Sequence, residues 1–134
     1  TTWDKTNLVE YQNYKIDKKL YPYIARMQKD GLVAGINIEF TSAYRNCKEQ
    51  GDLRAQACGI GNYNLKVKPI IECAPPTEPA GRSLHNEGLA VDLACNGYAT
   101  FAYSPCYAWL KPRSNLYQIK EHQLEPWHWS ITGK

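Results

Sequence analysis

The 134-residue chain predicts a small α+β domain, with a mostly antiparallel sheet of a few strands and two or three helices. Three observations predict it. Leu20, Ile24 and Met27 share one helical face, and the alternating run Ile36, Ile38, Phe40 follows at once. Leu89, Ala90, Val91 and Leu93 read as a short buried strand with Asp92 set among them. Between these lies a tract broken by glycine and proline, and no internal repeat or low-complexity segment is visible.

Taken in order, residues 1–17 are polar and aromatic without a clear period and read as an extended arm lying on the domain. A single domain then fills 18–134. Its first element is a helix over 18–30, with Pro22 in the first turn and Gly31 as the stop. The strand through Ile36–Phe40 runs into Tyr44-Arg45, and a short helix is expected over Lys48–Ala57. Residues of about 53–82 form an irregular insertion, with a short strand expected near Lys66–Ile71. The Leu89–Ala94 strand comes next. Ser104 is an N-cap and Pro105 a first helical residue for "SPCYAWL", which Pro112 limits. Tyr117–Ile119 and the closing "EPWHWSIT" are further strand candidates.

Hydrophobic content of 43% and charged content of 22% are those of a soluble globular protein. No apolar run approaches the ~20 residues of a membrane span. A net charge of +3 suits a polyanionic surface such as a cell wall but is too small to argue for nucleic acid, and no basic cluster is interleaved with aromatics. The chain opens Thr-Thr, which reads as a processed or trimmed product.

Five cysteines form no CxxC pair, which argues against a zinc ribbon and for disulfides in an oxidising compartment. Cys58–Cys73 and Cys95–Cys106 would each close a modest loop, leaving Cys47 over. Connectivity is not fixed by sequence, and buried thiols are the other reading.

The chemistry sits in two segments. In "SLHNEGLAVDL", Asp92 lies inside a buried-looking apolar run, where a carboxylate is costly unless a partner or a metal neutralises it. In "EPWHW", Glu125 and His128 are three residues apart, and Pro126 excludes a helical HExxH arrangement. On a strand entered through a bend, Glu125 can lie at a rim while His128 points inward. His85, Asp92 and His128 would then supply the two imidazoles and one carboxylate of a catalytic zinc site, with Glu125 as general base. Each element alone has a plainer reading: a packed histidine, a strand-edge aspartate, core tryptophans, an arginine in a structural ion pair. His122 has no companion motif and reads as a surface residue.

Jointly the motifs resemble a known family. "SLHNEGLAVDL" is similar to the SxHxxGxAxD motif of the LAS zinc peptidases, which include the VanY-type D-alanyl-D-alanine carboxypeptidases, through Ser83, His85, Gly88, Ala90 and Asp92. "EPWHW" resembles their ExxHW motif through Glu125, His128 and Trp129. "TSAYRNCKEQ" resembles their SxYRxxxxQ segment through Ser42, Tyr44, Arg45 and Gln50. The motifs keep the family's order, and the likeness covers roughly residues 18–130. The stretch 53–80 and its cysteines have no counterpart in that pattern.

The resemblance implies a small LAS/hedgehog-like domain around a zinc cleft. It implies one Zn2+ per chain on His85, Asp92 and His128, Glu125 as catalytic acid/base, and Arg45 near the scissile carbonyl or the substrate carboxylate. Ser83, Gln50 and Tyr44 are expected as polar contacts to substrate. Trp127, Trp129 and Trp109 are candidate cleft walls, with core packing as the equal alternative. The expected activity is a D,D-carboxypeptidase removing the terminal D-alanine of peptidoglycan stem peptides. "HNEGLAVD" also resembles endopeptidase members that cut between L-Ala and D-Glu, so a lysin-type endopeptidase is the alternative. A non-catalytic cell-wall module is the third reading, which Glu125 argues against. The expected setting is extracellular, periplasmic or cell-wall associated, or phage-encoded, with a monomer as default.

Overall fold

Helix α1 spans Tyr21–Val33 and buries Ile24, Met27, Gln28 and Gly31, the i, i+3, i+4, i+7 stripe of a core-facing helix. The computed structural model describes residues 7–96 and 100–134; the first six residues of the expected arm lie outside the described residues. Gly31 does not stop the helix, as the sequence suggested. It lies inside the last turn, where an added Cβ would sit 3.2 Å from the Ile36 carbonyl oxygen. The stop is Gly35 at φ +79°, with Gly35 N–H donating to Leu32 O at 3.0 Å and Ile36 N–H to Gly31 O at 2.7 Å. That pair of bonds is a Schellman closure.

The described part of the expected arm is a β-hairpin. Strand β1 (Leu8–Tyr11) pairs antiparallel with β2 (Tyr14–Asp17) through a Gln12-Asn13 turn at φ 54° and 70°. Two successive positive φ values make the turn whose twist suits a hairpin. Its Ile16 is fully buried, and the Tyr11 and Tyr14 rings stand edge-on to Phe40.

A four-stranded antiparallel sheet runs β3 (Ile38–Ser42), β4 (Ala90–Cys95), β6 (His128–Ser130), β5 (Lys120–Glu121). The expected strand at Tyr117–Ile119 is not formed; the strand begins three residues later, at Lys120, because Lys111–Tyr117 is a 3₁₀ helix that ends with Gln118 at φ 58°. One face of the sheet is core: Ile38 opposes Cys95, Phe40 opposes Leu93, and Val91 opposes Trp129. Helix α3 (Pro105–Leu110) packs on that face, capped by the Ser104 hydroxyl as the sequence predicts.

The other face carries polar side chains. A β-bulge at Thr41 sets Ser42 opposite Asp92 rather than opposite Val91. One extra residue moves the following side chain to the other side of a sheet. Ser42 therefore leaves the core parity of Ile38 and Phe40 and joins the Asp92 face.

Helix α2 (Cys47–Cys58) starts in a capping box: Asn46 Oδ1 accepts from Glu49 N–H at 2.8 Å, and Glu49 Oε1 from Asn46 N–H at 3.0 Å. Its buried stripe is Gln50, Arg54 and Cys58, polar where most helices are apolar. Arg54 is 1% exposed and donates to the carbonyls of Asn64 (2.9 Å), Thr77 (2.6 Å) and Lys68 (2.6 Å). One guanidinium thus binds three points of the insertion. The Cys58–Cys73 disulfide ties the same segment, and Cys95–Cys106 joins β4 to α3, as the sequence predicts. The insertion forms short helical turns, Tyr63–Val67 and Ile70–Glu72, and not the strand expected near Lys66–Ile71.

Candidate active site

His85, Asp92 and His128 reach one point from three elements. His85 belongs to a 3₁₀ turn, Leu84–Glu87, that Ser83 caps by accepting from His85 N–H at 3.1 Å. Gly88 ends that turn at φ +73°. A Cβ there would fall 2.5 Å from Leu8 Cδ2 and 2.9 Å from Asp17 N, so only glycine lets the turn lie against the hairpin. Asp92 comes from the middle of β4 and His128 from the start of β6, directly opposite it.

The three ligand atoms lie close together. His85 Nε2 is 3.0 Å from Asp92 Oδ1 and 3.1 Å from His128 Nδ1, and His128 Nδ1 is 3.2 Å from Asp92 Oδ1. All three residues are buried. The far nitrogen of each ring is already engaged: His85 Nδ1–H donates to Ala43 O at 2.5 Å and His128 Nε2–H to Lys134 O at 2.7 Å. Neutral rings so anchored turn bare lone pairs toward each other and toward a carboxylate oxygen. Such a set needs a shared positive charge. Its spacings fit tetrahedral zinc, whose bonds of about 2.0–2.1 Å place ligand atoms about 3.3 Å apart. The backbone carbonyls are the usual outer partners of metal-ligating histidines.

The electrostatics follow from burial and pairing. Burial alone would push the Asp92 carboxyl up, but His128 and His85 outweigh it and hold it well below the usual carboxylate range. Burial opposes charge on His128, and Asp92 outweighs that too, raising its pKa. For His85 burial wins and the pKa falls.

Glu125 stands beside this cluster. Pro126 and Trp127 form a turn closed by His128 N–H donating to Glu125 O at 2.9 Å, which sets Glu125 at the rim and sends His128 inward. Burial pushes the Glu125 carboxyl up to about 7, with Asp92 adding to the rise and His128 and Arg45 opposing it. Arg45 is held by Ser42 Oγ (3.1 Å from Nη1) and Gln50 Oε1 (3.0 Å from Nε), and its Nη1 is 3.6 Å from Asp92 Oδ2. Gln50 in turn donates to Glu78 O at 2.8 Å, linking Arg45 to the insertion.

These residues border a cleft of about 330 Å³, walled on the far side by Pro75–Glu78 of the insertion. Arg45, Gln50, Ser83, Trp127 and Glu125 line it. Tyr44 lies outside it, in a groove beyond Arg45 shared with Tyr14 and Asn46. Trp129 is 1% exposed and packs on Phe101 and Tyr107, and Trp109 stacks on Tyr117; neither forms a cleft wall.

The reading of His122 as a surface residue is overturned. His122 is buried, lines the cleft, and stacks edge-on to His128 with ring centroids 5.2 Å apart. The signal was in the register: β5 pairs Glu121 with Trp129, so the next residue falls opposite His128.

The comparisons with known proteins agree with this architecture. The VanYB structure in complex with D-Ala-D-Ala superposes with a TM-score of 0.76 at 20% identity, covering 97% of this chain and 80% of that one. A mutant of the vancomycin-resistance D,D-pentapeptidase VanY from the VanB-type cassette, in complex with Zn(II), gives 0.69 at 21% identity, covering 93% and 79%. The LdcB LD-carboxypeptidase gives 0.71 at 18% identity, covering 96% and 69%. The fold is therefore of the LAS peptidase type. No curated protein matches the chain in sequence. The model of the VanY D-alanyl-D-alanine carboxypeptidase family matches residues 13–134, and the chain belongs to that family.

Proposed function

We propose that the chain is a zinc-dependent D,D-carboxypeptidase that removes the terminal D-alanine of peptidoglycan stem peptides. One observation carries the reading: three buried ligand atoms, two of them ring nitrogens whose opposite nitrogens are anchored to carbonyl oxygens, converge beside a carboxyl group that burial raises to about 7. Family membership and the D-Ala-D-Ala complex of the VanYB relative support the substrate.

His85, Asp92 and His128 would hold the ion. Zinc, when bound, supplies a Lewis acid that acidifies water and polarises a carbonyl. Glu125 takes a proton from the attacking water at its carboxylate and delivers it to the departing D-alanine amine. A group with pKa near the working pH does both with little loss. Arg45, braced by Ser42 and Gln50, presents its guanidinium to the developing oxyanion or the terminal carboxylate. The Pro75–Glu78 wall narrows the cleft around the bound peptide.

An endopeptidase is the second reading, and the groove beyond Arg45 supports it, because a longer chain could run on past the cleft. Two disulfides and the family favour an extracellular or periplasmic setting. Among the described residues no helix is long and apolar enough to cross a membrane.

The test is mass spectrometry of stem pentapeptide and intact peptidoglycan after incubation with the zinc-loaded protein, with Glu125→Ala as control. Loss of one terminal alanine is expected. A cut elsewhere in the stem or bridge moves the chain to the endopeptidase reading, and no product from either substrate overturns both.

A further inference from the structure

We propose that His122 is a positioning residue for Glu125, presenting a neutral imidazole N–H to the carboxylate that carries the proton; this rests on the peptidase reading above.

The sheet puts it there. His122 N–H donates to His128 O at 2.9 Å, extending the β5–β6 ladder by one residue. Cross-strand neighbours project from the same face. Ser42, Asp92, His128 and His122 therefore form one row across the four strands, all on the cleft side.

The tautomer follows from a local bond. His122 Nδ1 accepts from Leu124 N–H at 3.0 Å, so the proton of the neutral ring is on Nε2. Nε2 faces Glu125 Oε2 at 3.5 Å, and the two side chains are only 9% and 14% exposed. The His128 ring packs edge-on against the imidazole at an interplanar angle of 77°.

Glu125 needs such a partner. Among the described residues its carboxylate accepts no hydrogen bond that meets ordinary geometry, and His122 Nε2 at 3.5 Å is the one histidine, lysine or arginine nitrogen within 4 Å of it. A carboxylate that shuttles a proton between two substrate atoms must be held in place without being quenched. A lysine or arginine in contact would stabilise the anion and weaken it as a base. A neutral N–H at the edge of hydrogen-bond reach orients the group and leaves its basicity largely intact.

Two variants of the zinc-loaded protein test the role. On stem pentapeptide, His122→Phe is expected to lower kcat about tenfold or more, the scale seen when supporting partners of a site are removed. KM and zinc content should stay those of the parent. His122→Gln, which keeps an N–H donor at similar reach, should recover most of the loss. A parental kcat in His122→Phe, or equal losses in the two variants, overturns the inference. A readout independent of turnover is the imidazole ¹H–¹⁵N spectrum. His122 should show the Nε2–H tautomer, and its Nε2–H resonance should move in Glu125→Gln. An unmoved resonance, or the opposite tautomer, overturns the inference even where the parent cleaves no stem peptide, an outcome that by itself defeats only the peptidase reading.

Discussion

Asp92 and His128 face each other across adjacent antiparallel strands, Oδ1 to Nδ1 at 3.2 Å, with the other nitrogen of His128 committed to the Lys134 carbonyl. Two acceptors at this distance share a positive charge or repel. In the metal-free protein that charge is a proton, consistent with the raised His128 and lowered Asp92 pKa values.

Zinc should therefore displace that proton. Calorimetric titration in two buffers of different ionisation enthalpy is expected to give about one zinc per chain and release of about one proton. Affinity should fall as pH drops. His85→Ala or Asp92→Asn should abolish tight binding. Binding without proton release would show that the pair is already bare.

Glu125→Ala should keep the metal and lose activity by roughly 10²–10⁴-fold, the usual scale of a general acid–base group. Metal analysis beside single-turnover kinetics checks both halves. An active variant removes Glu125 from the chemistry.

Glu125 also sets a pH dependence of stability in the chelator-treated protein. Its folded pKa, about 7, lies above the ordinary 4.5, so the folded state holds the proton more tightly. The stabilisation is complete below pH 4.5 and is lost as pH rises through 7. Glu125→Gln keeps a neutral group at every pH. Its Tm should exceed the parent's above pH 7, with the advantage shrinking as pH falls toward 4.5. A pH-independent difference would contradict the burial of this carboxyl.

Arg54→Met should cost about 3 kcal/mol or more, because three carbonyls of the insertion lose their donor at once. Urea titration measures it, and limited proteolysis should open the chain between 59 and 80 first. A variant with parental stability would mean that the disulfide alone holds the cleft wall.

Legibility in the sequence followed the physics of each segment. Ile36, Ile38 and Phe40 alternate, and Ser104-Pro105 announces a helix start, so local pattern sufficed there. The ligand set was readable because a carboxylate in an apolar run and a histidine after Glu-Pro both demand an explanation. The hairpin at residues 8–17 was not read, since its turn uses Gln12-Asn13 without glycine. Gly31 was misread because a glycine required by close packing looks the same as one that ends a helix. Helix α2 hides its purpose for another reason: its buried stripe is polar, and hydrophobic periodicity cannot report a helix that works by hydrogen bonds. His122 was missed because its place depends on a two-residue strand whose register exists only in three dimensions.

The extra residue at Thr41 has a consequence for how this chain can change. Before it, β3 answers to the hydrophobic interior; after it, to Arg45 and the reactive face. The bulge acts as a phase slip that insulates the two halves, so a substitution at Phe40 and one at Ser42 face separate demands although the residues are two apart. Deleting Thr41 would remove the bulge yet leave Ser42 opposite Asp92, because Asp92 is the regular partner of the residue that follows Phe40. A regular ladder that kept Thr41 would instead set Ser42 opposite Val91, on Trp129's side of the sheet, and take from Arg45 the brace that aims it, so the bulge itself aims the site without supplying any of its ligands.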